Sequence, residues 1–189
     1  MAITDPSNIT NSVEIQKQLN YTNDKPEVSV IVTCYNHSNF IEECLTSIFT
    51  QETDFLFEVL IGDDASTDDS LEKIEALAQN YKIPTRIFKW KEDSKWLRNG
   101  KPNGKLNFIR LYALAQGEHY AKCDGDDIWI HSSKLQLQYD CLRNGDYSIV
   151  FGQSLVGENI DNAVHNRSCI GEFTAEDLKW KNITGYTSS

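Results

Sequence analysis

The chain has 189 residues, of which 40% are apolar and 24% are charged, and its formal net charge is −10. This length suits a single domain with one hydrophobic core, and the composition is that of a soluble globular protein. The acidic balance argues against a nucleic-acid-binding protein, which would need a basic face. No apolar run approaches the length of a membrane helix, and the first residues do not resemble a signal peptide. We therefore expect a cytoplasmic protein without a transmembrane segment.

The cysteines agree with a cytoplasmic protein. The sequence has five of them, an odd number without Cys-x-x-Cys spacing, which disfavours a disulfide framework or a zinc knuckle. We therefore expect reduced, buried thiols. The four histidines show no metal-ligand spacing.

Apolar runs predict strands and helices that alternate along the chain. Residues 1–25 are polar and aperiodic, and we interpret them as a leader that is loose or weakly helical near Val13 to Leu19. Ser66 and Asp69 would form the capping box that opens a helix. Strands are predicted at 28–33, 57–61, 86–90, 120–123 and 147–151, and helices at 40–49, 66–81, 105–115 and 134–142. This alternation predicts an α/β fold, with a Rossmann-like, mainly parallel sheet flanked by helices.

The most informative stretch is Asp124-Gly125-Asp126-Asp127, at the end of a short apolar run. At contact distance and an effective dielectric of about 20, each pair of like charges costs about 4 kcal/mol, so the cluster needs neutralisation. Mg²⁺ and Mn²⁺ prefer oxygen ligands, and Mg²⁺ usually combines one or two carboxylates with phosphate oxygens and water. The stretch therefore indicates a metal-bound diphosphate, although such a stretch taken alone is also typical of a solvated acidic loop.

Polar residues follow three of the predicted strands, in the stretches 33–36, 62–68 and 124–127. Ligands of parallel sheets bind beyond the carboxyl ends of the strands, so these stretches should meet at one edge. There Tyr35 could stack on a base, and Asp64 could accept a hydrogen bond from a ring N–H or a ribose hydroxyl.

Other interpretations explain only part of this pattern. Acids are common at helix starts, which accounts for Asp68 and Asp69 but not for Asp63 and Asp64. The sequence has no Walker loop, no G-x-G-x-x-G motif, no G-x-S-x-G elbow and no EF-hand loop. Nucleotide binding would therefore have to rest on the three strand ends.

The ordered set of motifs resembles an inverting family 2 glycosyltransferase of the GT-A fold, of the type that builds bacterial surface polysaccharides. The resemblance runs from about Pro26 to Phe151. It rests on the stretches 28–37, 61–68, 107–110, 115–118, 124–129 and 134–136. It implies that residues 26–154 bind a nucleotide-sugar donor and that residues 155–189 begin an acceptor part that is incomplete.

The resemblance implies a nucleotide-binding role for several residues. Thr33 and Tyr35 would line the nucleobase pocket. Asp64 would bind the uracil ring, and Asp63 would support that loop. Lys105 could approach the diphosphate, or it could be a solvated loop charge.

The resemblance also implies a metal site. Asp126 and Asp127 would contact the ribose and a Mn²⁺ or Mg²⁺ ion, and Asp124 would be the first acid of the D-x-D motif. The implied partners are a nucleotide-sugar donor, in the first instance a UDP-sugar, and a carbohydrate or lipid-linked saccharide acceptor. Peripheral association with the inner face of a membrane is compatible with such an acceptor.

The general base of this family lies well beyond the D-x-D motif, and we assign no catalytic residue because the base is expected beyond the C-terminus. The stretch 174–177 is interpreted as a capping box rather than as a catalytic motif. Later acids include Asp161, Glu172, Glu176 and Asp177. Two hypotheses therefore stand: a metal-dependent glycosyltransferase, and a catalytically silent module that binds a nucleotide-sugar. Phosphotransfer through Asp63 or Asp64 is a third, for which the sequence offers no partner lysine.

Overall fold

The computed structural model describes residues 12–94, 97–98, 101–102, 104–145, 147–150, 155–156 and 164–165. The chain forms two compact units, Met1–Gln136 and Leu137–Ser189. Every binding residue that the sequence predicts lies in the first unit. The later acids at 161–177 lie outside the described residues, and the functional boundary predicted at residue 154 stays a prediction.

Strands and helices alternate through the first unit, as the sequence predicts. In chain order the elements are β1 (Val13–Leu19), β2 (Val28–Cys34), α1 (Ile41–Phe49), β3 (Phe57–Asp63), α2 (Ser70–Ala78), β4 (Thr85–Trp90), a 3₁₀ turn (Glu92–Ser94), β5 (Leu97–Arg98), β6 (Lys101–Pro102), α3 (Lys105–Leu114), β7 (His119–Asp124), α4 (Lys134–Asn144), β8 (Leu155–Val156) and β9 (Val164–His165). In the second unit, β8 and β9 form an antiparallel pair.

The main sheet has five strands in the order β1-β4-β3-β2-β7. The last four strands of this order pair in parallel, and β1 pairs antiparallel with β4. All of β3 is buried, as is all of β2 except Thr33. Strands that are covered on both faces have continuous apolar sequences, and β2 and β3 could therefore be predicted from the sequence. The predicted α/β class with a mainly parallel sheet is confirmed.

One face of the sheet packs against α3. Ile31, Leu60, Phe88 and Trp90 of three neighbouring strands cluster with Leu111 of the helix. The rings of Phe88 and Trp90 stack with their centroids 5.5 Å apart. Burial of each such side chain contributes about 1.5–3 kcal/mol, so this layer fixes the position of α3 on the sheet.

The cysteines of the described residues are free thiols, and the expectation that they are buried holds for three of them but is wrong for Cys141. Cys34, Cys44 and Cys123 are buried, and Cys141 is exposed. The Sγ atom of Cys44 on α1 lies 3.8 Å from that of Cys123 on β7, so α1 packs against the other face of the sheet. No helix among the described residues is both long and apolar enough to span a bilayer.

The prediction of a loose or weakly helical leader is wrong for Val13–Leu19, because these residues form β1. Its backbone pairs with β4, with Leu19 opposite Thr85 and Val13 opposite Trp90. As an edge strand it is only half covered, so its polar side chains obscure the apolar pattern of a strand.

The capping box predicted at Ser66 and Asp69 is also wrong. The helix begins at Ser70, and Asp69 at its N-cap makes no side-chain capping bond. Instead, the Asp68 carboxylate accepts from the Ser70 N–H at 3.1 Å and from its hydroxyl at 2.5 Å. The Ser66 hydroxyl accepts the Asn36 N–H at 2.9 Å and so joins two loops rather than capping a helix.

The strand predicted at 147–151 is not formed over residues 147–150, and Phe151 lies outside the described residues. The remaining predicted strands and helices of the domain are confirmed to within a few residues at their ends.

Candidate functional site

The three polar stretches meet at the carboxyl ends of neighbouring strands. Thr33 of β2 lies opposite Gly62 of β3 on one side and Asp124 of β7 on the other. The Asp64 N–H donates to the Cys34 carbonyl at 2.9 Å, and the Gly125 N–H donates to the Thr33 carbonyl at 2.8 Å. The predicted convergence at one sheet edge is therefore confirmed.

The loops after β2 and β3 hold each other in place. The Thr67 N–H donates to the Asn36 side-chain carbonyl at 2.8 Å, in addition to the bond between Asn36 and Ser66. Asn36 and Ala65 have positive φ angles of 55° and 59°. Such a conformation costs a non-glycine residue about 1–3 kcal/mol and is found where the surroundings impose it, often at functional sites. Tyr35, in the loop after β2, is 39% exposed.

Asp63 ends β3 and Asp64 follows it, and both are buried, at 0% and 5% exposure. One Asp63 oxygen accepts the Ser66 N–H at 2.8 Å, which is the loop contact that the family resemblance implies. The other oxygen, Oδ2, is buried without a hydrogen bond. Burial raises the pKa of Asp63, and the hydrogen bonds from Ser66 oppose that rise. Asp63 therefore holds the loop after β3 through one oxygen, while its other oxygen stays buried without a hydrogen bond.

Helix α3 brings two buried polar residues to the same strand end. Asn107 donates from Nδ2 to the Gly62 carbonyl at 2.7 Å and accepts the Trp90 indole N–H at 2.7 Å. The Arg110 guanidinium lies over the Trp90 ring, with Cζ 5.0 Å from the ring centroid. The family resemblance includes the stretch that holds Asn107 and Arg110 but implies no role for either residue. The available signal was two polar side chains three positions apart in an otherwise apolar helix.

The acidic stretch forms a turn directly after β7. The Asp124 carboxylate accepts the Thr33 hydroxyl at 2.7 Å and pairs with the Lys122 ammonium at 2.8 Å. The Asp127 N–H donates to the Asp124 carbonyl at 2.9 Å, which closes the turn. Asp126 and Asp127 are exposed. Thr33 thus orients an acid, and its predicted place in a nucleobase pocket stays a prediction.

Gly125 is required at the centre of this turn. A Cβ atom there would lie 2.8 Å from His37 Nδ1 and 2.9 Å from the Thr33 carbonyl oxygen. Both distances are too short for a real side chain, so only glycine lets the acidic turn pack this closely on the loop after β2.

The acids suit a hard cation by their chemistry, although they are not gathered around one point. Among the described residues, no three His, Cys, Asp or Glu side chains are arranged as a metal site. Although Asp127 is exposed, partial desolvation of its carboxyl group raises its pKa, and the charges of Asp126 and Asp124 raise it further, an effect that a cation would relieve. Asp124 already has two partners, so Asp126 and Asp127 are the carboxylates best placed to accept a metal.

Lys105 is the first residue of α3 and is exposed. It precedes Asn107 by two residues, so its backbone lies at the helix end that contacts β3. Its predicted approach to a diphosphate stays a prediction.

The comparisons with known proteins agree with one another. The family model described as glycosyl transferase family 2 matches residues 29–188. The putative teichuronic acid biosynthesis glycosyltransferase TuaG of Bacillus subtilis is 32% identical over 150 residues, which cover 76% of this chain and 54% of that protein. An uncharacterized protein of Mycobacterium tuberculosis, Rv1520, is 33% identical over 125 residues, or 66% of this chain. The chain spans about a third of the length of that relative, 34%.

Among solved structures, S. aureus TarS 1–349, crystallised with UDP-GlcNAc, has a TM-score of 0.51 and 30% sequence identity. The similarity covers 62% of this chain and 31% of TarS 1–349. It agrees with the predicted GT-A fold, and the family match extends over most of the chain. This chain belongs to glycosyl transferase family 2.

Proposed function

We propose that the chain carries the donor site of a glycosyltransferase that moves a sugar from a UDP-sugar to an acceptor hydroxyl with inversion, with the help of Mn²⁺ or Mg²⁺. The observation that carries this proposal is the meeting of Tyr35, Asp64 and the acids at 124–127 at one sheet edge. The UDP-GlcNAc complex of TarS supports a uridine nucleotide. The acceptor would be a carbohydrate or a lipid-linked saccharide, and the name of TuaG, a putative teichuronic acid biosynthesis glycosyltransferase, supports a saccharide.

The nucleoside would lie over the ends of β2 and β3. The exposed Tyr35 ring offers a face for stacking on the base, an interaction worth about 1–3 kcal/mol. Asp64 is buried and held at its backbone by Cys34, so its carboxylate can accept a hydrogen bond from a ring N–H. A buried acceptor of this kind discriminates strongly, because a ligand without the matching donor leaves it unsatisfied.

The diphosphate would lie toward β7. Asp126 and Asp127 would hold the divalent cation, while Thr33 and Lys122 orient and partly neutralise Asp124. When bound, the cation neutralises the charge that develops on the departing diphosphate.

Transfer would be a single displacement at the anomeric carbon. The acceptor oxygen forms its bond to that carbon as the bond to the diphosphate oxygen breaks, and attack from the opposite face inverts the configuration. The acceptor proton passes to a carboxylate base. Residues of the first unit would bind the nucleotide-sugar donor in this reaction.

The test is calorimetric titration of the chain with UDP, with and without Mn²⁺. We expect Asp127→Ala to abolish the metal-dependent part of binding while the circular dichroism spectrum stays unchanged. Asp54→Ala is the matched control, since Asp54 is an exposed acid that precedes the amino end of β3, and it should bind as the native chain does. Unchanged Mn²⁺-dependent affinity in Asp127→Ala would remove the metal assignment.

A second assay separates the two functional hypotheses. Release of UDP from a UDP-sugar in the presence of an acceptor supports the transferase. Binding of the UDP-sugar without release identifies the chain as a binding module.

A further inference from the structure

We infer that Arg110 is a positioning residue that holds Asp64 as an ionised hydrogen-bond acceptor, and that it thereby makes the nucleobase site select uracil over cytosine. This inference rests on the proposed function and deepens it. It assigns a role to a buried cation on α3 that the sequence motifs leave without one.

The position of Arg110 depends on Trp90. Its side chain is fully buried, and it stacks on Phe88, so the ring has little freedom to move. Asn107 accepts the indole N–H at one edge of the ring, and the Arg110 guanidinium lies over its face. A guanidinium is planar and stacks well on an aromatic ring, whereas an ammonium does so as a point charge. Arg110 is therefore held in one orientation.

The contact between α3 and β3 brings Arg110 to the end of β3, beside which Asp64 lies. Asn107 donates to the Gly62 carbonyl, two residues before Asp64 in the chain. A Cβ atom on Gly62 would lie 2.0 Å from the Asn107 side-chain oxygen and 2.9 Å from Leu111. Glycine at position 62 thus allows the helix to approach the strand end closely, and Arg110 follows Asn107 by one helical turn.

Arg110 and Asp64 interact electrostatically across this contact. Both residues are buried, each with 5% exposure. Burial lowers the pKa of Arg110, and the negative charge of Asp64 opposes that lowering. The interaction is mutual, because a cation that is favoured by a carboxylate favours the charged form of that carboxylate in return. Arg110 therefore acts to keep Asp64 ionised in a site from which water is largely excluded.

The ionisation state of Asp64 decides which base it can read. An ionised carboxylate only accepts hydrogen bonds, whereas a protonated one also donates. Uracil presents a ring N–H that suits an acceptor. Cytosine presents a bare ring nitrogen at the same position, which suits a donor. Loss of the Arg110 charge would let Asp64 take a proton and serve either base, so discrimination between UDP and CDP would fall.

The experiment measures the affinities of UDP and CDP, each with Mn²⁺, by titration calorimetry on the full chain. We expect the native chain to prefer UDP, and Arg110→Gln to lower the ratio of the two affinities by about tenfold. Arg110→Lys keeps the charge and should retain the ratio to within about threefold. Leu111→Val, on the same helix, is the control for a general loss of packing: it should lower the melting temperature but keep the ratio.

A double-mutant cycle tests whether Arg110 acts through Asp64. In Asp64→Asn the preference for UDP should already be lost, so adding Arg110→Gln should change the ratio by less than about twofold. The double variant also contains no uncompensated buried charge, so it remains measurable if Arg110→Gln alone does not fold.

The outcomes separate this inference from the proposed function. A native chain that binds neither nucleotide overturns both. A native chain that prefers UDP, with an unchanged ratio in Arg110→Gln, overturns the inference alone. Independent losses from the two substitutions, which multiply in the double variant, overturn the action of Arg110 through Asp64.

Discussion

The two ends of the parallel strands differ in whether their charged side chains have partners of opposite charge. At the amino end, the Glu58 carboxylate pairs with the Arg86 guanidinium at 2.8 Å. Its other oxygen accepts the Ser29 hydroxyl at 2.7 Å and the Gln116 N–H at 2.8 Å. Each oxygen of this buried acid therefore has a donor. The cavity beside it, of about 20 Å³, has room for little more than a water molecule.

At the carboxyl end, acids lie beside acids. Asp63 has a buried oxygen without a hydrogen bond, and partial desolvation together with the Asp126 and Asp124 charges raises the pKa of Asp127. A network in which every charged group has its hydrogen-bond partners stabilises the fold and has no remaining donor or acceptor to bind a ligand. A cluster of like charges costs stability, so its presence is better explained by a ligand than by the fold.

The largest predicted effect follows from breaking the amino-end network. Arg86→Met leaves the Glu58 charge buried without its partner, and we expect it to lower the free energy of unfolding by about 3–5 kcal/mol in urea denaturation. Glu58→Gln combined with Arg86→Met keeps an acceptor for Ser29 and Gln116 without a charge, and should recover most of that loss. A loss below about 1 kcal/mol in Arg86→Met would mean that solvent screens the pair, as it does at a surface.

The next effect belongs to the carboxyl end and concerns binding rather than stability. Tyr35→Ala removes a ring that is 39% exposed, so we expect it to lower stability only modestly and to weaken UDP binding by about 1–3 kcal/mol in titration calorimetry. Tyr35→Phe keeps the ring face and should bind normally. Equal UDP affinity for Tyr35→Ala would show that the ring packs against the loop instead of a base.

The parts of this molecule that sequence could predict are those set by short-range pattern. The buried strands β2 and β3 show as continuous apolar runs, and topology alone then places the ends of β2, β3 and β7 together. Strand β1 could not be predicted, because its structure depends on pairing with β4, about 70 residues later in the chain.

The environment of Asp64 could not be predicted for a similar reason. Asn107 and Arg110 are buried polar residues only because Trp90 offers a ring to both and Gly62 leaves space for the helix. These contacts join three separate elements, so the spacing of Asn107 and Arg110 indicates a shared helix face but not what that face contacts. Such residues emerge from packing, whereas the acids at 124–127 are conspicuous because they are clustered in sequence.

The smallest predicted effect contrasts two acids within the carboxyl end by their response to pH. Burial raises the pKa of Asp63 above its ordinary value of 3.8. Burial also tends to raise the pKa of Asp68, but hydrogen bonds from Ser70 and Ser38 outweigh it, so that pKa is lowered. The folded chain therefore holds a proton on Asp63 more tightly than the unfolded chain does, and a proton on Asp68 less tightly.

The two acids should consequently give stability curves of opposite slope. The contribution of Asp63 is full in acid and is lost as the pH rises from 3.8 through its raised pKa. The contribution of Asp68 is full above 3.8 and is lost as the pH falls through its lowered pKa. Measured by urea denaturation between about pH 3 and about pH 7, Asp63→Asn should gain stability relative to the native chain as the pH rises. Asp68→Asn should gain stability relative to the native chain as the pH falls.

The Asp63→Asn curve reports the charge and not the loop contact, because an amide oxygen at position 63 still accepts the Ser66 N–H. Parallel curves for the two variants would mean that both carboxylates are equally satisfied, and the contrast between the ends of the sheet would then rest on the acidic turn alone.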